Sequence, residues 1–409
     1  MNLPTLAREM LEGKHGEGTQ TAMEIIVALA KVYDADTLIP IKSAQVSGVS
    51  YKNIGEAGLA FLEKLKKGNT SARVTATLNP CGLDLENWEE LGFQEAFYIN
   101  QMRAIRAYQD LGIETTCSCT PYLLHNRPSY GDHVAWGESS AVSYVNSVLG
   151  ARTNREGGPA ALSAAITGFT ANFGLHLEKN RAPEVRVHVN CPVENYHDFG
   201  QLGLLLGAKL GQKIPLITGL REPAASREHL RQMGASMAAS GAIALYHVDG
   251  ITPEAKVHPA WTSKDHEFSE EVVIDSLVEP DANENEITDS EGKPVDMVFF
   301  GCPHHSKAEI VGLLEELRDS DVKSKVWIAT AKKIKEKLLS EPANMNGIHP
   351  NVKLISDTCI VVCPIDSLDV HSVATTSGKA YFYLSHKQAL QTYHVTTREA
   401  IEIAKRGTT

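Results

Sequence analysis

No run of apolar residues in this chain approaches the ~18–20 that a membrane-spanning helix requires. The N-terminal stretch MNLPTLAREMLEGKHGEG carries charges where a secretory signal would have its apolar core. The expectation is a cytoplasmic protein. Positive charge is scarce too: 39 Lys and Arg stand against 50 Asp and Glu, a formal net charge of -11 at pH 7. Nucleic acid and anionic membranes are met by basic patches that displace counterions or contact headgroups, so neither is expected as the main partner. A small anionic substrate is still compatible, because a few local cations suffice for it. Aromatics are only 6% of the chain, and no fixed-period repeat or low-complexity tract points to a solenoid or to disorder. Seven cysteines, at 81, 117, 119, 191, 302, 359 and 363, are an odd number scattered through a long sequence. They read as reduced thiols, not as a disulfide framework. Missing as well are the paired C-x2-C motifs of a zinc ribbon, a GxGxxG behind a strand and a nucleophile elbow.

What is present is an alternation of short β-rich runs with longer helical stretches, over 409 residues that suit two or three domains. TLIPI (37–41), ARVTATL (72–78), IETTCSC (113–119), EVRVHVN (184–190), IPLITG (214–219), AIALYHV (242–248), VDMVFFG (295–301), KVWIAT (325–330) and VKLISD (352–357) read as strands. After two opening helices over 4–12 and 18–33, the segments 93–110, 139–149, 159–167, 196–210, 227–240 and 306–317 read as helices. That order predicts a multi-domain α/β architecture with largely parallel sheets. The acidic, aperiodic stretch EPDANENEITDSEGKP (279–294) predicts a linker. With a second boundary near Gly174, the chain divides into 1–173, 174–280 and 281–409.

Three cysteines fall just past predicted strand ends: Cys119 closes IETTCSC, Cys302 follows VDMVFFG and Cys359 follows VKLISDT. Open α/β sheets bind ligands at that edge, so thiolates from distant strands can converge there on one metal centre. Cys81 and Cys191 also follow strands, and Cys363 lies close behind Cys359. Spacing alone therefore favours buried thiols over a metal site. The block HNRPSYGDHVAWGESSAVSYVNSVLGARTNREGG (125–158) is unusually polar. Within it Ser139 and Ser140 start a helix, Ser139 near the N-cap, where free backbone N–H groups suit an anion. Arg152 follows that helix; the plain structural reading is a cap and a helix-end cation. A second cradle is SAQVSGVSY (43–51), where Gly48 permits close backbone approach and Ser47 and Ser50 offer hydroxyls, though such a stretch is more often a simple turn. ATTSGKAYF (374–382) presents Lys379 but is no P-loop, having Ala380 where Ser or Thr would bind magnesium. His304 and His305 behind Cys302 are candidates for supporting or acid–base groups. Nothing in their spacing singles out Asp249 or Asp357.

With TCSCTPY, GDHVAWGESSAVSYVNSVLGARTNREGG, SAQVSGVSY, GCPHHS and SDTC in place, the chain closely resembles the aconitase X family over nearly its whole length. The resemblance implies aconitase-like α/β/α layers and a hydro-lyase with an iron–sulfur cluster, of 4Fe-4S type, as Lewis acid. It puts the cluster ligands on Cys119, Cys302 and Cys359, with Cys363 the rival to Cys359 and with Cys81 and Cys117 as extra thiols. It puts substrate and phosphate contacts on Gly48, Val49 and Ser50, on Asn79 and Pro80 in TLNPCG, and on Ser139, Ser140 and Lys379, with Arg152 as a further candidate. Family members occur as long chains with a fused small swivelling domain, or as a large chain with a separate small subunit. An end at Thr409 resembles the large subunit of the two-chain form. In archaea that form implies dehydration of (R)-5-phosphomevalonate to trans-anhydromevalonate 5-phosphate, in a mevalonate-pathway variant of isoprenoid biosynthesis. The implied base is a serine alkoxide on the small subunit, so the chain alone is expected to be inactive. A dehydratase of cis-3-hydroxy-L-proline or another hydroxy acid is the alternative. A non-catalytic metal- or phosphate-binding protein on the same scaffold is the alternative of another class.

Overall fold

Strand pairing sorts the β-structure into four sheets, three of them wholly parallel, in a computed structural model that describes residues 1–67, 69–263, 266–278, 292–388 and 390–409. In the first third, β1 (Leu38–Pro40) pairs antiparallel with β5 (Phe169–Ala171), and β2 (Ser43–Val46) lies between β3 (Thr75–Leu78) and β4 (Ala135–Trp136). Next, β6 (Val185–Val189), β7 (Pro215–Thr218), β8 (His247–Val248) and β9 (Glu270–Ile274) form a sheet in the order β8-β7-β6-β9. Last, β10 (Met297–His305), β11 (Lys325–Thr330), β12 (Val352–Ile355), β13 (Ser372–Thr375) and β14 (Gln391–His394) form the order β12-β11-β10-β13-β14.

The period of two explains why this last sheet is covered on both faces. Val298 and Phe300 of β10 turn to one side, against Ile310 and Leu314 of helix Lys307–Leu317 and Ile401 of helix Thr397–Arg406. Met297 and Phe299 turn to the other, against Leu384 of helix Gly378–Lys387 and against Leu83 and Phe93 from the first third of the chain. Every residue of β10 is buried. Its carboxyl end is thus held between two layers.

Helix Arg227–Ser240 is the hub that brings distant segments together, packing on helices Tyr196–Leu210, Ser139–Tyr144 and Gly378–Lys387. Small residues make the approach possible. A Cβ on Gly203 would stand 2.4 Å from the Met233 carbonyl oxygen, and one on Gly378 would stand 2.4 Å from Ser236 Oγ. Through this hub the residues after Glu138 come to lie beside Lys379.

Several sequence expectations are corrected. The segment 113–119 is not a strand: only Glu114 makes a bridge, to Thr77, and Cys117 then turns the backbone into the left-handed region at φ 41°. Conversely, Ser43–Val46 is a fully buried strand, and the turn starts at Ser47. Strand β8 is only the last two residues of 242–248. Cys302 does not follow β10 but lies within it, in the stretch between Phe300 and His305 where the register with β11 shifts. Helix 139–149 is α-helical to Tyr144 and a π-helix from Val145 to Leu149, stopped by Gly150 at φ 71°. Most of the expected linker, 279–291, lies outside the described residues.

Candidate functional site

Cys119, Cys302 and Cys359 come from three separate segments, and one side chain ties these segments together. The backbone N–H of His304 donates to Cys119 Sγ at 3.2 Å. The ring of His304 reaches Ser118 Oγ through Nδ1 at 3.1 Å and the Thr358 carbonyl through Nε2 at 2.9 Å. Ser118 and Thr358 directly precede Cys119 and Cys359, and His304 follows Cys302 by two. The Cys119 loop is held from behind as well: Ser118 N donates to the Leu78 carbonyl at 2.9 Å and Gln45 Nε2 to the Ser118 carbonyl at 3.2 Å.

All three thiols are buried, at 6%, 3% and 7% exposure. Burial first, then the neighbouring Glu138 carboxylate and the other two sulfurs, push Cys119 up. Burial and then Cys359 push Cys302 up to about 12, and burial raises Cys359. The three sulfurs therefore share one electrostatic field, and as free thiols they hold their protons at neutral pH. Cys363 shares less of it: after burial, what raises its thiol is Cys359, with Lys52 opposing, and its sulfur donates to the Ile360 carbonyl at 3.6 Å. Cys117 is hydrogen-bonded to Cys81 instead, whose sulfur donates to the Leu83 carbonyl at 3.2 Å.

Among the described residues no three His, Cys, Asp or Glu side chains are arranged to hold a single metal ion. A polynuclear cluster is a different target, because each thiolate binds a separate iron and the ligands stand farther apart. Three separately anchored thiols with N–H groups directed at sulfur fit such a group.

Facing the sulfurs is a buried ion pair. Lys379 Nζ meets Glu138 Oε1, and lies 3.4 Å from each of Ser139 Oγ and Ser140 Oγ. Glu138 also accepts from Ser140 Oγ at 2.5 Å and from the Ala141 N–H at 2.6 Å. Burial pushes the Glu138 carboxyl up, but the Lys379 ammonium more than offsets it and the carboxyl ends below its usual range. Burial pulls Lys379 down and Glu138 then raises it, with a net rise. Both are therefore charged at neutral pH. The helix cap is Glu138 and not Ser139, a correction with a simple cause: a carboxylate at the N-cap accepts the free N–H groups as well as a hydroxyl does. Nothing in the spacing of a lone Glu separates it from an exposed first-turn carboxylate, so sequence reasoning missed it.

Two further loops are tied to this region through Ser50 and the strand Ser43–Val46. Gly48 has φ 74° with open space where a Cβ would stand. Val49 and Ser50 are buried, and Ser50 Oγ donates to the Val362 carbonyl at 3.1 Å, which joins this loop to the turn after Cys359. Asn79 N donates to the Val46 carbonyl at 2.9 Å, and Asn79 Oδ1, next to buried Pro80, is buried without a hydrogen-bond partner. Arg152 is engaged by other groups: its guanidinium donates to the His176 carbonyl and to Glu178 Oε2, both at 3.4 Å.

An α/β chain that brings thiols from three segments distant in sequence to a buried ammonium–carboxylate pair has the construction of an aconitase-like protein. The chain belongs to the aconitase X family: the profile for the aconitase X first domain matches residues 1–179, that for the second domain 183–278 and that for the third domain 295–406. It is 44% identical over 386 residues to the phosphomevalonate dehydratase large subunit of Methanosarcina mazei, covering 94% of this chain and 92% of that one. The phosphomevalonate dehydratase large subunit of Methanothermobacter thermautotrophicus is 43% identical, covering 92% of each chain. A cis-3-hydroxy-L-proline dehydratase of Hypocrea jecorina is 31% identical over 91% of this chain but 63% of its own length. The crystal structure of Thermococcus kodakaraensis aconitase X in its holo-form superposes with a TM-score of 0.86 at 38% identity, covering 99% of this chain and 100% of that one.

Proposed function

We propose that the chain is the large subunit of a two-chain cytoplasmic hydro-lyase that dehydrates (R)-5-phosphomevalonate to trans-anhydromevalonate 5-phosphate in a mevalonate-pathway variant. The observation that carries this reading is the joining of the Cys119, Cys302 and Cys359 segments through His304, beside the buried Lys379–Glu138 pair. The substrate is supported by relatives at 40–44% identity, all phosphomevalonate dehydratase large subunits that match this chain nearly end to end. The cis-3-hydroxy-L-proline dehydratases, at 31% and 33% identity and much longer, support the alternative less. The division into 1–173, 174–280 and 281–409 remains our reading of the domains.

In this proposal Cys119, Cys302 and Cys359 hold a 4Fe-4S cluster, which when bound supplies a Lewis acid for the departing hydroxyl. The remaining work falls to the chain and its partner. The thiols lose their protons on ligation, since only the thiolate binds metal. Lys379 offers its ammonium to the anionic substrate, and Glu138 holds that ammonium in place with Ser139 and Ser140 beside it. Asn79 Oδ1 offers an unpaired acceptor to a substrate hydroxyl, and the Gly48–Val49–Ser50 loop offers backbone at close approach. Arg152, already engaged by Glu178, ranks last among the contacts. The proton on the carbon α to the carboxylate goes to a base that we assign to a small subunit carrying the swivelling domain.

The test is direct. Anaerobically reconstituted chain, mixed with its small partner and phosphomevalonate, should form the dehydrated product. Turnover by the large chain alone removes the partner requirement. Bound zinc, or no metal, after anaerobic purification returns the chain to a non-catalytic binding protein.

A further inference from the structure

Gln101 lies within helix Glu95–Asp110, on the face that also buries Ala104, Ile105 and Tyr108. A carboxamide at 0% exposure has lost its water and requires partners on the protein. It finds three, on two other segments. Oε1 accepts from the backbone N–H of Tyr51 and of Gly82, each at 2.9 Å, and Nε2 donates to the Val49 carbonyl at 3.0 Å. These are the segments that carry Gly48–Val49–Ser50 and Asn79–Pro80. Their contact is close elsewhere too: a Cβ on Gly82 would stand 2.5 Å from the Phe97 ring and 2.7 Å from Ser50 Oγ. Ser50 in turn reaches Val362, so the arrangement extends to the turn after Cys359.

We infer that Gln101 is a positioning residue, which clamps the 48–51 and 79–82 loops at one separation so that an anionic substrate meets a preformed cleft. The inference rests on the function proposed above. A glutamine suits the task because one neutral group both accepts and donates. A glutamate of the same shape accepts the two N–H groups but cannot donate to Val49 while ionised, and it adds negative charge beside an anion. Lowering the pH protonates it, which restores a donor and removes the charge.

The experiment uses the reconstituted two-chain enzyme. Gln101→Glu should raise KM for phosphomevalonate about tenfold or more, the equivalent of one lost buried hydrogen bond, with kcat and iron content close to the unsubstituted values. The KM ratio to the unsubstituted enzyme should shrink as the pH is lowered, which a merely structural role would not produce. An unchanged KM, a ratio constant with pH, or a loss of iron and kcat at constant KM overturns the inference. An unsubstituted complex that carries its cluster yet ignores phosphomevalonate sinks the proposed function instead. Should Gln101→Glu not fold, amide exchange in the unsubstituted protein decides. A shared acceptor gives the Tyr51 and Gly82 amides common protection, and widely different exchange rates overturn the clamp.

Discussion

The Nε2 atom of His304 lies 2.9 Å from the carbonyl oxygen of Thr358. A carbonyl only accepts, so this pairing assigns the proton to Nε2 and leaves Nδ1 to accept from the Ser118 hydroxyl at 3.1 Å. The ring is neutral, in keeping with a pKa that burial, above all, lowers to about 4. One imidazole thereby spans the segments that carry Cys119 and Cys359 while its own backbone follows Cys302.

His304→Ala should therefore act on stability and on the metal site together. It leaves a buried carbonyl and a buried hydroxyl without this partner, at about 1–3 kcal/mol for each group left unsatisfied. Urea unfolding of the metal-free chain measures the first effect. Iron and sulfide per chain after anaerobic reconstitution measure the second, and both should fall. Full iron content with lowered stability would make His304 a packing residue only.

What the sequence disclosed follows from where its local signals were strong. Helices Tyr196–Leu210 and Arg227–Ser240 were legible to the residue, because Asn195 and Asp198 form a capping box, Gly211 follows the first, and Ser226 caps the second. The run IETTCSC misled because Ile113, Thr115 and Thr116 favour a strand while the turn at Cys117 depends on tertiary contacts that no propensity encodes. Strand Ser43–Val46 was hidden for the opposite reason. Its Gln45 reads as a surface residue, yet it is buried and hydrogen-bonded to the Ser118 carbonyl. Motif resemblance is what nominated the three thiols and Lys379 as site residues, whereas Glu138 emerged only when residues 241 apart were seen to share a salt bridge.

Acid should destabilise the metal-free chain well before its exposed carboxylates titrate. Burial chiefly lowers His176 and His394 to about 3 and His247 and His304 to about 4. Their unfolded value is near 6.5, so below that pH the unfolded chain takes up protons that the folded chain refuses, and stability is lost as pH falls. Each contributes ~1.4 kcal/mol per pH unit in that window. Asp357, pushed up to about 7 by burial and then by Asp84, opposes them: folded, it keeps a proton that the unfolded chain gives up, and so favours the folded state as pH falls. His133, lowered chiefly by burial, adds to the histidines, and Glu156, raised by burial, sides with Asp357. The four strongly shifted histidines against Asp357 leave a net of about three protons, hence a slope of ~4 kcal/mol per pH unit between about pH 6 and 5. Urea midpoints at pH 7, 6 and 5 check this, and a flat profile contradicts it.

The Arg231–Glu309 pair should show strong coupling across the second and third parts of the chain. Arg231 is 2% exposed, and Glu309 is held well below the usual carboxylate range because Arg231 outweighs the upward push of burial. Arg231→Met strands that carboxylate and should cost ~3–5 kcal/mol. Glu309→Gln keeps an oxygen for the Ser306 N–H that Glu309 now accepts at 2.8 Å, so the helix start survives. The double variant Arg231→Met/Glu309→Gln should lose less than the two single losses combined, because no charge is left stranded. Additive losses would mean that the pair is screened.

The choice between Cys359 and Cys363 has a sharp test. Both sulfurs are buried, at 7% and 0% exposure, so accessibility does not separate them. Their surroundings do. Lys379 and Glu138 act on Cys359, as do the backbone N–H groups of Val361 and Val362, and Cys359 in turn raises Cys119 and Cys302. Cys363 instead feels Cys359, Lys52 and Asp366. A thiolate that ligates beside Lys379 must come from the first environment. Cys359→Ser should therefore abolish the visible absorption of the reconstituted cluster and most of its iron. Cys363→Ser, which keeps a hydroxyl near the Ile360 carbonyl, should retain both, since it alters a donor and not a ligand. The reverse result, iron kept in Cys359→Ser and lost in Cys363→Ser, would move the third ligand by four residues and require the 359–363 turn to rearrange on metal binding.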